Sequence, residues 1–275
     1  MFNKLAFLDL DRTLIDSNYE LNIPLDEFRA FAETLQSKGV SVGLCSDSAV
    51  ITLKQWQEKL GLKGPIVAER GAVIWDSAQN TELILDFDQT KWFSDFRKDF
   101  IGELMGNFPQ ASIFIGDATH FFKSSGGNLT SSQVFAINGF RKASFSFFAL
   151  KMNQEEKVLE PDPDLLVAAS LIAGKLLNHY KKAKNDLFWD ENPEYGILIL
   201  HEKDTQKRVG ISKLISQLLP NQTIMVGDSM SDFLDLPEVL QFAVGNADSD
   251  YMQKSDYIAH GHLTRGVVEC LFRMI

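Results

Sequence analysis

The sequence predicts an α/β fold, a doubly wound parallel sheet interrupted by an inserted α+β domain. Three observations carry that expectation. Strand-like and helix-like apolar segments alternate at the start of the chain, the character changes over residues 85–201, and the alternation resumes from Lys207.

Residues 5–8 form a short apolar run that reads as a buried strand. Leu25–Ser37 has helical spacing and is closed by Gly39; Val40–Cys45 reads as a second strand; residues 49–60 read as a second helix closed by Gly61. Glycine after a periodic apolar segment stops a helix because it accepts the left-handed backbone of the cap. Strands that alternate with helices pair in parallel through right-handed crossovers, and ligands gather beyond their C-terminal ends. Asp9 and Ser46 fall there.

The middle of the chain reads differently. Phe-rich strand candidates at 112–115, 120–123, 144–150 and 195–201 are interspersed with helical segments and a polar Ser/Gly loop at 124–132. A helix from about Asp164 to Lys184 follows the turn-forming Pro161-Asp162-Pro163 and ends in lysines that suit the helix dipole. The abundant aromatics read as core. From Lys207 a helix to about Leu219 leads through Pro220-Asn221 into a strand at 223–226, which ends at Gly227-Asp228-Ser229-Met230-Ser231-Asp232. A further strand at 242–244 ends at Gly245-Asn246-Ala247. The expected division is therefore 1–84 with 202–275 as one domain and 85–201 as the insertion.

With 275 residues the chain can bury a substantial core. Its formal charge of −10 and pI near 5.0 oppose a nucleic-acid or anionic-membrane partner, which needs a basic patch. Cys45 and Cys270 have no metal-site or disulfide spacing and read as reduced, buried thiols. The first residues lack the pattern of a signal peptide, and no apolar stretch is long enough to span a bilayer, so a cytoplasmic protein is expected. The sequence is silent on oligomeric state.

The chemistry-bearing segment is Asp9-Leu10-Asp11-Arg12-Thr13, directly after the first strand. In strand geometry Asp9 and Asp11 would share a face, with Leu10 turned the other way. Two like charges that close stay ionised together most easily beside a cation such as Mg²⁺, which prefers oxygen ligands. Taken alone, the segment also reads as a polar turn. Asp228 follows an apolar strand in the same way, and Gly227 permits the sharp exit that brings its carboxylate to a crowded site. Three carboxylates at adjacent strand ends suit a hard cation.

Several ordered motifs carry a family resemblance: Asp-Leu-Asp-Arg-Thr-Leu at 9–14, Leu-Cys-Ser at 44–46, Ala-Glu-Arg-Gly-Ala at 68–72, Lys207, Val-Gly-Asp-Ser-Met-Ser-Asp at 226–232 and Ala-Val-Gly-Asn-Ala at 243–247. The chain resembles the haloacid dehalogenase superfamily of phosphohydrolases, specifically its Cof-type branch, with a Rossmann-like core and a large α/β cap that sets substrate specificity. The resemblance implies a two-step phosphoryl transfer: Asp9 attacks phosphorus, and water hydrolyses the aspartyl-phosphate. It implies Asp11 as acid and base, and Mg²⁺ held by the side chains of Asp9 and Asp228 and the carbonyl of Asp11, with Asp232 ordering the metal's waters. Ser46 and Lys207 would meet the phosphoryl oxygens. Lys207 is preferred over Lys213 because Gly210, Ile211 and Leu214 follow it at the family's helical spacing.

The family usually has Gly at Arg12, Thr-Gly-Arg at Ser46-Asp47-Ser48, Asn at Arg70, and Lys-Gly at Lys207-Arg208. These departures spare the catalytic groups and leave substrate contacts open, with Thr13, Arg12, Arg70 and Arg141 as candidates. Asp47 most simply caps the helix that follows it. The Ser46-Asp47-Ser48 variant and residues 65–74 also resemble the mannosyl-3-phosphoglycerate phosphatase subgroup. The implied activity is a Mg²⁺-dependent phosphatase for a small phosphorylated metabolite such as a sugar phosphate. The alternatives are a phosphotransferase or mutase similar to phosphomannomutases, and a non-catalytic binding protein.

Overall fold

The structure, a computed structural model, describes residues 3–117, 131–153, 155 and 158–275. It comprises two compact units, Met1–Leu85 with Thr205–Ile275, and Asp86–Asp204.

The first unit opens with β1 (Lys4–Leu8), the helix Leu25–Ser37, β2 (Val40–Cys45), the helix Val50–Leu60, β3 (Ile66–Ala68), β4 (Val73–Asp76) and β5 (Thr81–Ile84). The second unit contains the helices Trp92–Asn107 and Pro163–Leu177 with strands β6 (Ser112–Gly116), β7 (Gln133–Asn138), β8 (Ser144–Asn153), β9 (Val158–Pro161), β10 (Leu187–Asn192) and β11 (Ile197–Glu202). The chain then returns through the helix Lys207–Leu218, β12 (Gln222–Gly227), β13 (Val239–Ala243), β14 (Tyr257–Ile258) and the helix Leu263–Phe272.

Among the described residues the first unit forms one eight-stranded sheet, ordered β14-β13-β12-β1-β2-β3-β4-β5. Its strands from β14 to β3 run parallel, as the helix–strand alternation predicts. Leu5, Ala6, Phe7 and Leu8 are all buried, as a central strand covered on both faces requires. Leu8 lies level with Leu44 of β2 and Val226 of β12. The residues just beyond these strands, Asp9, Ser46 and Asp228, therefore emerge side by side.

The antiparallel extension β3-β4-β5 is not foreseen in the sequence, because strands of three and four residues are too short to show a period. It is made by the turn Glu69–Gly71, where three successive residues take positive φ, ending in Gly71 at +102°. A Cβ on Gly71 would sit 2.1 Å from the carbonyl oxygen of Gln206, so this glycine lets the turn press against the start of the Lys207–Leu218 helix. Gly71→Ala combines that clash with an unfavourable backbone angle. It is expected to destabilise the protein by about 2 kcal/mol or more, read by chemical denaturation.

Two other expectations are corrected in this unit. The helix after Ser46 starts at Val50 with Ala49 at its N-cap and no side-chain cap, so Asp47 does not cap it. The strand expected at 242–244 lies at Val239–Ala243, because it pairs with β12 from Thr223 onward.

The second unit has a six-stranded sheet, ordered β10-β11-β8-β7-β6 with β9 beside β8. Its two long helices pack on a core that includes Phe93, Phe96, Phe100, Phe135, Phe145 and Phe147, so the aromatics are indeed packing residues. The helix expected to reach Lys184 ends at Leu177, followed by a single 3-10 turn, Asn178–Tyr180. Asp162 caps its start by accepting from the Leu165 amide at 3.0 Å, and Lys181 takes a left-handed conformation that turns the chain toward β10. The strand expected at 195–201 runs Ile197–Glu202, displaced by the turn through Gly196. The strand proposed at 120–123 and residues 124–130 of the proposed loop lie outside the described residues. Among the described residues, no helix is long and apolar enough to cross a membrane.

Candidate active site

The β1 end supplies Asp9, whose amide donates to the Val226 carbonyl at 2.9 Å and whose side chain is buried. Lys207, first residue of its helix, reaches over from the other chain segment. Its Nζ lies 2.6 Å from Asp9 Oδ1 and 2.5 Å from Asp232 Oδ1. Gly210, Ile211 and Leu214 anchor the same helix in the core, which fixes the root of this buried lysine. Lys213 is exposed.

Asp232 is bound at both ends of its carboxylate. Its Oδ2 accepts from the amides of Asp228 at 2.9 Å and Ser229 at 3.2 Å. Gly227 makes that fold-back possible, since a Cβ there would lie 2.4 Å from Asp232. Asp228 in turn accepts from the Thr13 hydroxyl at 3.2 Å through Oδ1. Carboxylate oxygens of Asp9, Asp228 and Asp232 lie within 4.8 Å of one another.

Charge in so confined a space perturbs Asp9, Asp11, Asp228 and Lys207. Burial raises the Asp9 pKa well above its ordinary value, and Asp232 adds to the rise while Lys207 opposes it. Asp11 is exposed to solvent, yet the protein atoms packed around its carboxyl push its pKa up to about 6. Lys207 acts against that rise, and Asp47 and Asp232 reinforce it. Asp228 is likewise pushed up to about 6 by burial and Asp232, with Arg12 and the Thr13 hydroxyl pulling down. Burial alone would lower Lys207, but Asp232 and Asp9 outweigh it and hold the lysine protonated.

These directions give a test. Where the native carboxyls of Asp11 and Asp228 sit at about 6 and the unfolded ones near the usual 4, the native chain binds more protons between those values. Stability in EDTA is therefore expected to rise as pH falls from 7 through 6 toward 4. Melting curves of wild type against an Asp11→Asn, Asp228→Asn variant isolate this contribution, because the amides do not titrate.

Ser46 is buried at the β2 end, with its Oγ accepting from the Ser48 amide at 3.2 Å. Leu10 is buried, but β1 ends at Leu8, so the strand geometry that would set Asp9 and Asp11 on one face does not reach them: Asp9 is buried and Asp11 exposed. Arg70 is half-buried on the Glu69–Gly71 turn and lines a cavity of about 230 Å³ together with Lys207, Arg208 and Ser231. Arg141 belongs to the second unit, where it is buried and donates to the Ser144 hydroxyl at 3.0 Å.

Arg12 has φ +61°, and its guanidinium lies 3.5 Å from Asp228 Oδ2 and 3.3 Å from Asp248 Oδ1. Two participants here escape sequence reasoning. Asn246 lies in the Ala-Val-Gly-Asn-Ala segment at 243–247, but its role shows only in space: its side-chain amide donates to the Arg12 carbonyl at 2.7 Å and accepts from the Leu263 backbone amide at 2.8 Å. Asp248 is an ordinary half-exposed acid with no sequence signal.

The donor set fits a divalent cation. Three buried carboxylates against one lysine leave the cluster electronegative, and all the available ligands are oxygens, which Mg²⁺ prefers. Asp9 and Asp228 would hold the ion, while Asp232, occupied by Lys207 and two amides, suits the outer position.

Comparison with known proteins extends these observations. Phosphoglycolate phosphatase 1 of Saccharolobus solfataricus is 22% identical over 275 residues, covering 99% of this chain and 96% of the relative. The phosphoglycolate phosphatase of Sulfolobus acidocaldarius is 24% identical over the same length, with the same coverage. Among solved structures, a haloacid dehalogenase-like hydrolase from Bacteroides thetaiotaomicron superposes with a TM-score of 0.65 at 16% identity over 99% of both chains. A family model described as haloacid dehalogenase-like hydrolase matches residues 6–271, which take in both strand-end aspartates and the lysine between them. The chain thus belongs to the haloacid dehalogenase-like hydrolases.

Proposed function

We propose that the protein is a Mg²⁺-dependent phosphatase that hydrolyses a small phosphorylated metabolite through an aspartyl-phosphate on Asp9. The observation that carries this reading is the buried trio Asp9, Asp228 and Asp232, with oxygens within 4.8 Å and Lys207 bridging two of its members. The phosphatase names of relatives that align along nearly the whole chain support it.

In the first step an Asp9 oxygen bonds to phosphorus and the ester P–O bond breaks, with Asp11 protonating the departing oxygen. In the second, water attacks phosphorus, Asp11 takes its proton, and the acyl-phosphate P–O bond breaks to restore Asp9. Ser46 and Lys207 donate to the equatorial oxygens, where charge is spread in the transition state. Bound Mg²⁺ supplies further neutralisation of that charge. The raised pKa of Asp11 suits a group that must give a proton and take one back. Residues 86–204 act as the cap that selects the substrate, and the enzyme works in the cytoplasm.

The test is phosphate release from p-nitrophenyl phosphate and from a panel that includes phosphoglycolate and sugar phosphates, compared by kcat/KM. Turnover with Mg²⁺ that is lost in EDTA and in Asp9→Asn is the expected result. No turnover on any phosphomonoester, or turnover indifferent to Asp9→Asn, would refute the reading.

A further inference from the structure

The side chain of Arg12 is 58% exposed, yet it is held at both ends. Its backbone is fixed in the left-handed region: its amide donates to the Ile15 carbonyl at 2.8 Å, and its own carbonyl accepts from Asn246 at 2.7 Å. Its guanidinium spans Asp228 at 3.5 Å and Asp248 at 3.3 Å. A long cationic side chain is thus rooted at a backbone conformation that favours glycine and laid against a carboxylate of the proposed metal site. None of the steps proposed above uses it.

We propose that Arg12 is a built-in cation of this site that sets a trade between its two ligands, weakening Mg²⁺ binding and strengthening binding of the phosphoryl anion. The inference rests on the phosphatase reading of Asp9 and Asp228. Its physical basis is Coulombic. A fixed positive charge beside Asp228 Oδ2 repels a divalent cation held by the same carboxylate and attracts the anion that the cation also attracts. Asp248, 3.3 Å from the guanidinium, is a second carboxylate that favours the placement of this charge beside Asp228.

At partial exposure such a charge is worth about a decade in affinity for each ligand, with opposite signs. Titration calorimetry reads both directly. Mg²⁺ is titrated into wild type, Arg12→Gly, Arg12→Gln and Arg12→Lys, and orthovanadate is then titrated at saturating Mg²⁺, with circular dichroism checking the fold.

The Gly and Gln variants are expected to bind Mg²⁺ about tenfold more tightly and orthovanadate about tenfold more weakly, while Lys stays close to wild type. Raising the salt concentration is expected to narrow these gaps, as screening requires. Gly and Gln agreeing with each other identifies charge as the cause, because they differ in side-chain volume and in backbone preference at φ +61° and share only the loss of the charge. Both constants remaining within twofold of wild type, or moving in the same direction, overturns the inference while leaving the phosphatase reading intact. A wild-type protein that binds no Mg²⁺ overturns both.

Discussion

Asp9→Asn is expected to lower phosphate release by at least about 10³-fold while raising the melting temperature of the Mg²⁺-free protein. The loss of activity follows from replacing the carboxylate proposed to attack phosphorus with a neutral amide, whose oxygen is a poor nucleophile. The gain in stability follows from the electrostatics of the native state. Burial and Asp232 hold the Asp9 carboxyl well above its ordinary pKa, so its ionised form is disfavoured in the folded chain at neutral pH. Asparagine keeps the shape and removes the charge, and Lys207 retains Asp232 as its partner at 2.5 Å. A Tm above that of the wild type is the expected result. Added Mg²⁺ should stabilise the wild type more than the variant. Differential scanning calorimetry beside a phosphate-release assay separates the two effects, and a variant less stable than the wild type would show that the Asp9–Lys207 contact outweighs the burial of charge.

Lys207→Met carries the opposite sign and the largest stability effect expected in the molecule. The lysine is the cation that contacts Asp9 and Asp232 from within the buried cluster, and methionine fills its space without its charge. Uncompensated buried carboxylates cost about 3–5 kcal/mol, so a comparable loss is expected at pH 7 in urea denaturation, together with loss of turnover. The loss should shrink toward pH 5, where the carboxyls take up protons. Lys213→Met, on the exposed side of the same helix, is the control and should stay within about 0.5 kcal/mol of wild type. Equal losses in the two variants would assign the effect to the helix rather than to the ion pairs.

How much of this was legible in the sequence depended on whether a residue's role is local. The parallel core was readable because its central strands are largely apolar and a left-handed glycine, Gly39 or Gly61, follows each of its first two helices. Asp9 and Asp228 were readable because each directly follows such a strand, and Lys207 because the apolar spacing behind it pins its helix. The β3-β4-β5 extension was hidden by the shortness of its strands. In the second unit, β7, β9 and β10 were missed: β7 follows directly on a polar Ser/Gly stretch, β9 is only four residues long, and the apolar start of β10 gives way to Asp190-Glu191-Asn192. Asp47 read as a cap from its position alone, but the helix begins too late for it. Asp248 could not be found at all, since its part depends on where the Arg12 side chain lands.

The pairing of β1 with β12 has a consequence for synthesis. Asp9 and Lys207 stand 198 positions apart in the chain, and the strand that closes one side of β1 begins at Gln222. At ordinary translation rates, the interval between the two strands leaving the ribosome is on the order of ten to forty seconds. The second unit, a single unbroken stretch from Asp86 to Asp204, can complete its own core in that time. The nucleophile's strand meanwhile waits with one hydrogen-bonding edge open and four apolar side chains to bury. The nascent chain is thus exposed to mispairing at its first strand, and the active site cannot assemble until the chain has been made past Asp232.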